Sequence, residues 1–278
     1  NCQKESHVIA EIFYITSNLL SSQNLYSYSN FYLNLAKLLN KNFYSFDTLL
    51  AENFLNLKNY KQAKKIYYKL KNKGDAFSWH AAKQEANIYL LKDEKEKALN
   101  LLSIAFNKIQ NKTVYDQFDY AEFLKNNKEF EKSIKFYTEI LNSIDKSHFL
   151  FSEVMDSRGV AHERTGEWTK AEKDLLASLE VRPDQAYVIN YLAYSWIEQG
   201  IKIDQSLKML EEANKLKSND PYIIDSIGWA LFKLKRYNES KKYLQQAVKL
   251  MPADPIVNDH YGDVLWKNGK EIEARYYW

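Results

Sequence analysis

The chain has 278 residues, with 39 lysines and arginines against 36 aspartates and glutamates, so its formal net charge is only +3 at pH 7. That balance argues against a protein that binds polyanions over its whole surface. The lone cysteine, Cys2, excludes an intrachain disulfide, and no apolar run approaches the roughly 18 residues that a membrane-spanning helix needs.

Small residues recur along the whole chain with a nearly constant spacing. The spacing is 34 or 35 residues, except for 38 residues between Ser133 and Ala171. A period near 34 predicts a stacked array of helical hairpins, in which no hairpin buries its apolar face alone. Each hairpin supplies one small residue per helix: Ser17, Ala51, Ala86, Ala121, Gly159, Ala193, Gly228 and Gly262 in the first helices, and Ser29, Ala63, Ala98, Ser133, Ala171, Ser206, Ser240 and Ala274 in the second helices.

Residues 1–142 predict four hairpins of degenerate sequence. This part contains no proline, but its small residues stay in register. Aromatic residues mark its inter-helix turns at Tyr26, Tyr60 and Phe130, as Trp168 and Tyr237 do later in the chain.

A lysine-rich stretch falls in the second hairpin, where no acidic residue lies between Asn53 and Gly74. Along a second helix, these lysines are expected to form a solvated, outward-facing surface. The alternative is a nucleic-acid or polyanion-binding helical-repeat protein that uses this Lys-rich first half. The stretch contains Lys58, Lys61, Lys64, Lys65, Lys69, Lys71 and Lys73.

The irregular interval predicts an insertion or bend at residues 143–152, followed by four hairpins in residues 153–278, the last of them truncated. The best-formed hairpin has one helical face made by Ile224, Ile227, Gly228 and Leu231, and a second made by Ser240, Leu244 and Ala247; Pro252 closes it.

This combination resembles the tetratricopeptide-repeat pattern, W-x2-L-G-x2-Y, then A-x3-F, then P. The hairpins from Tyr187 onward, with YLAYSWIEQG, DPYIIDSIGWALFKLKRY and DPIVNDHYGDVLWKNGK, are similar to tetratricopeptide-repeat proteins of Gram-negative bacteria. The resemblance implies an all-α, right-handed superhelical solenoid of about eight hairpins, and no defined activity. The hairpin of Gly159 fits less well, because Arg158 and His162 replace bulky apolar residues.

A second stripe runs beside the buried stripe of each first helix, rotated by about 100°. The resemblance implies that first helices line a concave groove, so this stripe is the predicted site for an extended peptide with a basic or amide group. We expect Tyr187, Tyr222 and the three aspartates of the stripe, Asp225, Asp259 and Asp263, to be exposed. Trp229 and Trp266 either pack between helices or face the groove. The first-helix stripe consists of Tyr187, Asn190, Tyr194, Tyr222, Asp225, Trp229, Phe232, Asp259, Asp263 and Trp266.

Weaker groove candidates lie in the third hairpin, at His80, Lys83 and Asn87. A lysine and an asparagine one turn apart are similar to the carboxylate-gripping arrangement of some family members. The neighbouring hairpins supply Glu52 and Phe118 instead, so the clamp is incomplete.

No motif or group of residues in the sequence predicts a catalytic site. The histidines form no HExxH frame, the glycines form no phosphate loop, and no serine lies in a GxSxG elbow. His260 and Asp263 share a helix turn, but two ligands do not make a zinc site, and His260 is expected on the surface or in the groove. We therefore expect a non-catalytic scaffold for a protein or peptide partner, without metal or cofactor.

The chain ends also carry expectations. A start at Asn1 predicts a processed or trimmed product, either cytoplasmic or periplasmic, and Cys2 suggests a lipid anchor that Asn1 fits poorly. Ala274 and Trp278 occupy core positions of the last hairpin. Either further chain follows them or another molecule covers that end, as in end-to-end self-association.

Overall fold

The computed structural model describes residues 4–278, so Cys2 and its expected lipid anchor lie outside the described part. Residues 4–278 form helices and turns without a strand. In chain order the helices are α1 (Glu5–Ser22), α2 (Tyr26–Leu39), α3 (Ser45–Asn56), α4 (Tyr60–Leu70), α5 (Asp75–Leu90), α6 (Lys95–Lys108), α7 (Val114–Asn126), α8 (Phe130–Ser143), α9 (Phe151–Arg164), α10 (Trp168–Val181), α11 (Ala186–Glu198), α12 (Ile203–Leu216), α13 (Pro221–Lys233), α14 (Tyr237–Leu250), α15 (Pro255–Lys267) and α16 (Glu271–Ala274).

The helices pair as hairpins, with the odd-numbered helices as first helices and the even-numbered ones as second helices. Contacts join α1 to α2, α3 to α4, α5 to α6, α9 to α10, α11 to α12, α13 to α14 and α15 to α16. The predicted all-α class and the helical-hairpin repeat are confirmed. Each aromatic residue that the sequence placed at a turn is the first residue of a second helix: Tyr26, Tyr60, Phe130, Trp168 and Tyr237.

One backbone motif closes all eight first helices. In α13, Lys235 adopts a left-handed conformation with φ 61°, its N–H donates to the Phe232 carbonyl, and the Arg236 N–H donates to the Leu231 carbonyl. These two bonds define a Schellman motif, which satisfies the last carbonyls of a helix. The same pair of bonds recurs at the left-handed residues Asn24, Lys58, Asp93, Lys128, Gly166, Gly200 and Gly269.

The recurring small residues mark the closest approach of the two helices in a hairpin. A Cβ added to Gly228 would lie 2.6 Å from Leu244 Cγ, and one added to Gly262 would lie 2.5 Å from Trp278 Nε1. Ser240 is fully buried, and its hydroxyl donates to the Gly228 carbonyl over 2.7 Å. The spacing in the sequence therefore reflects a steric limit inside each hairpin.

The chain forms two compact units: unit 1 ends at Tyr120, and unit 2 runs from Ala121 to Trp278. In unit 2 the extra residues after Ser133 lie in the loop between α8 and α9 rather than in a longer helix. The Asp145 carboxylate orders this loop by accepting the Ser147 N–H over 2.8 Å, and Leu150 is buried at its end. The proposed division into residues 1–142, 143–152 and 153–278 remains a prediction.

Candidate functional site

The first-helix stripe lies on neighbouring helices of unit 2, because α13 contacts both α11 and α15. Its residues occupy equivalent positions in successive repeats, so Tyr187 and Tyr222 correspond to one another, as do Asn190 and Asp225. The structure therefore brings the predicted residues onto adjacent helices, but their environments differ strongly.

Asp225 is the main correction to the sequence-based expectation. It was expected to be exposed, but it is only 5% exposed, and His260 Nδ1 lies 2.9 Å from its Oδ2. His260 is itself buried instead of lying on a surface, and it pairs with Asp225 of α13 instead of the adjacent Asp263. A buried carboxylate needs such a partner, because an unpaired buried charge is costly.

Trp229 is also largely buried, and it packs on the same pair. Its ring stacks on His260, with centroids 4.0 Å apart, and on Phe232, with centroids 4.8 Å apart. Its indole N–H donates to Glu198 Oε1 of α11 over 2.6 Å. Trp229 therefore packs between first helices and does not face the groove. Asp225, Trp229 and His260 form a buried polar-aromatic cluster behind the stripe.

Two tyrosines of the stripe are exposed, as predicted. Tyr222 is 55% exposed and Tyr187 is 53% exposed. The Tyr187 hydroxyl donates to Asp220 Oδ2 over 3.0 Å, and the Lys217 ammonium lies 3.9 Å from its ring centroid. These contacts orient the Tyr187 ring while leaving half of it accessible.

The last first helix, α15, carries three further stripe residues. Asp259 is exposed, as predicted, whereas Asp263, which was also expected to be exposed, is half-buried. Partial burial and the nearby charge of Asp259 raise the pKa of the Asp263 carboxyl above its usual range. Trp266 is 38% exposed and lies beside Trp278, with ring centroids 5.6 Å apart. The acids of α15 are therefore the accessible carboxylates of the stripe.

A cavity of about 160 Å³ opens on the stripe within unit 2. Four stripe residues line it, together with Ser226 of α13, two N-terminal residues of α15 and the capping residue Asp254. The lining residues are Asn190, Tyr194, Tyr222, Asp225, Ser226, Asp254, Ile256 and Val257. The pKa of Tyr194 is raised by burial and by the carboxylates of Glu198 and Asp225. The cavity thus combines aromatic walls with a negative electrostatic field.

Sequence reasoning missed Asp156 on α9, which lies one repeat before Asn190 and was detectable by that spacing. Burial raises its pKa to about 7; Glu122 and Glu153 also raise it, whereas Lys125 lowers it. Asp156 lines a second cavity, of about 560 Å³, and Tyr187 is among the other lining residues.

The weaker candidates in unit 1 do not form a carboxylate clamp. The Lys83 ammonium is paired with the Asp119 carboxylate, which neutralises its charge. His80 Nε2 lies 3.3 Å from Glu52 Oε1, and Asn87 is exposed beside Gln84. The clamp is therefore not only incomplete, as the sequence indicated, but its lysine is already occupied.

The lysine-rich stretch spans α4 of unit 1 and its flanking turns. Lys64 lies 3.9 Å from the Tyr89 ring centroid, and Lys71 is paired with Glu85. Lys61, Lys65 and Lys69 are exposed along α4. In residues 4–278 no cluster of three or more histidine, cysteine or acidic side chains is arranged to hold a metal ion. No helix of that range is both long and apolar enough to cross a membrane.

The tetratricopeptide-repeat family model matches residues 34–277, so the chain belongs to the tetratricopeptide-repeat family. A tetratricopeptide repeat-containing protein of Pseudomonas aeruginosa is 30% identical over 120 residues. That match covers 41% of this chain but only 18% of the relative. The relative comes from a Gram-negative bacterium, which confirms the predicted resemblance.

Solved structures agree with the fold. A tetratricopeptide repeat protein from Parabacteroides merdae superposes with a TM-score of 0.57 at 15% identity, over 72% of this chain and 77% of that one. MamA of Desulfovibrio magneticus superposes with a TM-score of 0.52 at 14% identity, over 61% and 93% of the two chains. At such identities the similarity shows the fold alone.

Proposed function

We propose that the first-helix stripe of unit 2 binds an extended segment of a partner protein, and that the chain is a non-catalytic interaction scaffold. The observation that carries the proposal is the cavity on the stripe, which four predicted stripe residues line. Tetratricopeptide repeats generally mediate protein–protein interaction.

The geometry of the stripe suits an extended ligand. Tyr187, Tyr222 and Trp266 expose aromatic surface on three first helices, α11, α13 and α15. Rings supply contact area at low entropic cost, because only two torsions are fixed. First helices that pack roughly 8–10 Å apart match about three residues of a chain that rises ~3.3 Å per residue.

Selection of binding peptides by phage display, followed by affinity measurements on variants of the protein, tests the proposal. Random peptides on phage are selected against the full chain, and their dissociation constants are measured by fluorescence anisotropy. Tyr222→Ala is expected to weaken binding by about tenfold, as the loss of a central aromatic contact does. The matched control is Tyr68→Ala on α4 of unit 1, because Tyr68 is 72% exposed and lies off the stripe.

Asp225→Lys is a poor test, because Asp225 is buried against His260 and its loss would disturb the fold. Asp259→Lys changes an exposed carboxylate of the stripe instead. Hydrogen exchange is expected to show peptide-dependent protection in α11, α13 and α15. Peptides that bind with equal affinity to Tyr222→Ala, Asp259→Lys and wild-type protein would overturn the stripe as the binding site.

The alternative, a nucleic-acid or polyanion binder, rests on how charge is distributed in unit 1. The first helices α1, α3 and α5 carry one lysine, Lys83, whereas the second helices α2, α4 and α6 carry one acid, Glu96, among many lysines. Labelled single-stranded RNA or DNA is titrated at low and moderate salt, with Lys61→Glu/Lys65→Glu as the variant. A steep salt dependence that the variant abolishes would support the alternative, and no binding at low salt would remove it.

End-to-end self-association through the last helix stays a prediction. Ile272 of α16 is 75% exposed and Tyr276 is 82% exposed, which gives an apolar surface for a second copy. Light scattering of wild-type protein and of Ile272→Glu across a concentration series tests it. A mass that stays monomeric at all concentrations would contradict it.

A further inference from the structure

The cavity on the first-helix stripe has apolar walls suited to an unbranched side chain. Tyr222 and Ile256 are both more than half exposed, and Val257 is buried. Tyr194 lines the cavity beside Asn190 and is half-buried. Two tyrosine rings with two aliphatic side chains favour a methylene chain over a strongly hydrated group.

Three side chains of this cavity carry amide or carboxylate oxygens that can accept hydrogen bonds: Asn190, Asp225 and Asp254. The Oδ1 atom of Asn190 is buried and has no hydrogen-bond partner. A buried acceptor without a donor costs free energy that a ligand donor recovers. Ser226 adds no donor to the cavity, because its hydroxyl donates to the Tyr222 carbonyl over 2.9 Å.

Two carboxylates complete the wall. Asp225 accepts from His260 Nδ1, and Asp254 Oδ1 accepts the backbone N–H groups of Ile256 and Val257 at the start of α15. A carboxylate has about four acceptor positions, so these bonds do not saturate it. An anionic ligand would meet both charges, whereas a cation gains from them.

We propose that this cavity takes the cationic side chain of a lysine or arginine in the partner segment, with the stem between Tyr194 and Tyr222 and the charged head at Asn190 and Asp225. The inference rests on the proposed binding of a segment to the stripe. An amide side chain also carries donors, but its carbonyl oxygen would face the acceptors of the wall. A cation brings donors alone and interacts favourably with the ring faces.

The test uses the selected peptides whose affinity depends on Tyr222. Each basic residue of such a peptide is replaced by glutamine, and one replacement is expected to weaken binding by about tenfold. Asn190→Asp is expected to tighten the parent peptide several-fold, and Asn190→Lys to weaken it by at least about tenfold. Both variants should change the affinity of the peptide that carries glutamine at that position much less than they change the affinity of the parent peptide.

Asn87→Asp and Asn87→Lys on α5 are matched controls, because Asn87 is exposed and lies in unit 1. Circular dichroism and urea unfolding verify that the variants fold. If folded variants bind stripe-dependent peptides regardless of basic residues, the cation site is wrong while the proposed function stands. If Tyr222→Ala does not change the affinity of the peptides, the proposed function itself fails.

A second measurement needs neither peptides nor Asn190 variants. The wild-type protein, labelled with ¹³C in its isoleucine methyl groups, is titrated with acetyl-arginine methylamide and with acetyl-glutamate methylamide. The Ile256 methyl resonance is expected to shift with the arginine compound alone. Equal shifts with both compounds, or shifts with the glutamate compound alone, would overturn the proposal.

Discussion

Tyr67 and Tyr137 occupy the same position of two second helices, where most other hairpins have a leucine. Both side chains are fully buried. The Tyr137 hydroxyl donates to Glu122 Oε1 over 2.6 Å, but the Tyr67 hydroxyl has no hydrogen-bond partner. Identical residues at equivalent positions therefore differ in whether their polar atom is satisfied. The leucines of the other hairpins are Leu33, Leu102, Leu175, Leu210 and Leu244.

We expect opposite outcomes from removing the two hydroxyl groups. Tyr137→Phe should lower the free energy of unfolding by about 1–2 kcal/mol, because a buried hydrogen bond is lost. Tyr67→Phe should leave it unchanged or raise it by up to about 1 kcal/mol, because an unsatisfied buried group disappears. Urea denaturation followed by circular dichroism gives both values, and equal losses in the two variants would contradict this account.

Arg158, one of the two residues that weaken the repeat pattern, forms an ion pair with Asp174. Its Nε donates to Asp174 Oδ2 over 2.7 Å and its Nη2 donates to Oδ1 over 2.9 Å, with Asp174 buried on α10. Asp174→Ala should cost about 3–5 kcal/mol, because Arg158 then keeps a poorly solvated charge. Arg158→Met/Asp174→Leu should recover most of that loss in urea denaturation. A double variant as unstable as Asp174→Ala would argue against a charge effect.

Among the structural elements, the inter-helix turns combine a fixed geometry with variable residues. A left-handed residue follows the end of every first helix; it is glycine in three hairpins and lysine in three. The left-handed region costs L-residues with a side chain roughly 1 kcal/mol or more, but not glycine. The lysine turns therefore retain strain that the Schellman bonds and the helix packing overcome.

Lys235→Gly is expected to stabilise unit 2 by about 0.5–1 kcal/mol, because glycine adopts the left-handed conformation without a Cβ clash. The matched control is Lys242→Gly in the exposed interior of α14, which should destabilise by about 1 kcal/mol. Thermal unfolding of both variants measures the two signs. If both variants destabilise equally, the strain at Lys235 is negligible.

For the whole molecule, stability depends on pH through carboxyl groups with shifted pKa values. Burial raises the pKa of Asp156 to about 7, so the folded protein holds a proton there that the unfolded chain releases near pH 4. Between these values the folded state binds more protons, and the free energy of unfolding must fall as pH rises. The Asp145 carboxyl acts in the opposite sense, because its hydrogen bonds with Ser147 lower its pKa.

Wild-type protein is expected to lose about 1–3 kcal/mol of unfolding free energy between pH 5 and pH 8, because one pKa unit corresponds to about 1.4 kcal/mol. Asp156→Asn should remove this loss. Asp145→Asn is the control, because its lowered pKa affects stability only at more acidic pH. Urea denaturation at the two pH values gives the difference. A parallel pH dependence in Asp156→Asn and wild-type protein would exclude Asp156 as the cause.

The hairpin repeat was predictable from the sequence, because the small residues are required by contacts within a single hairpin. Gly228 and Ser240 are close in sequence, and their spacing records the crossing of two helices. The turn aromatics, such as Tyr60 and Tyr237, were predictable for the same reason: they begin second helices whose start the local pattern defines. The helical periodicity of the buried residues then predicted the position of the neighbouring stripe on α11, α13 and α15.

The accessibility of each stripe residue, in contrast, depends on packing between repeats. Asp225 is buried because His260, one repeat further along the chain, pairs with it, and Lys83 is neutralised by Asp119 of the next first helix. Periodicity gives the direction of a side chain on its own helix, but not the residue that the neighbouring repeat places against it. Burial and charge at the site depend on that neighbour, and so only the packed structure revealed them.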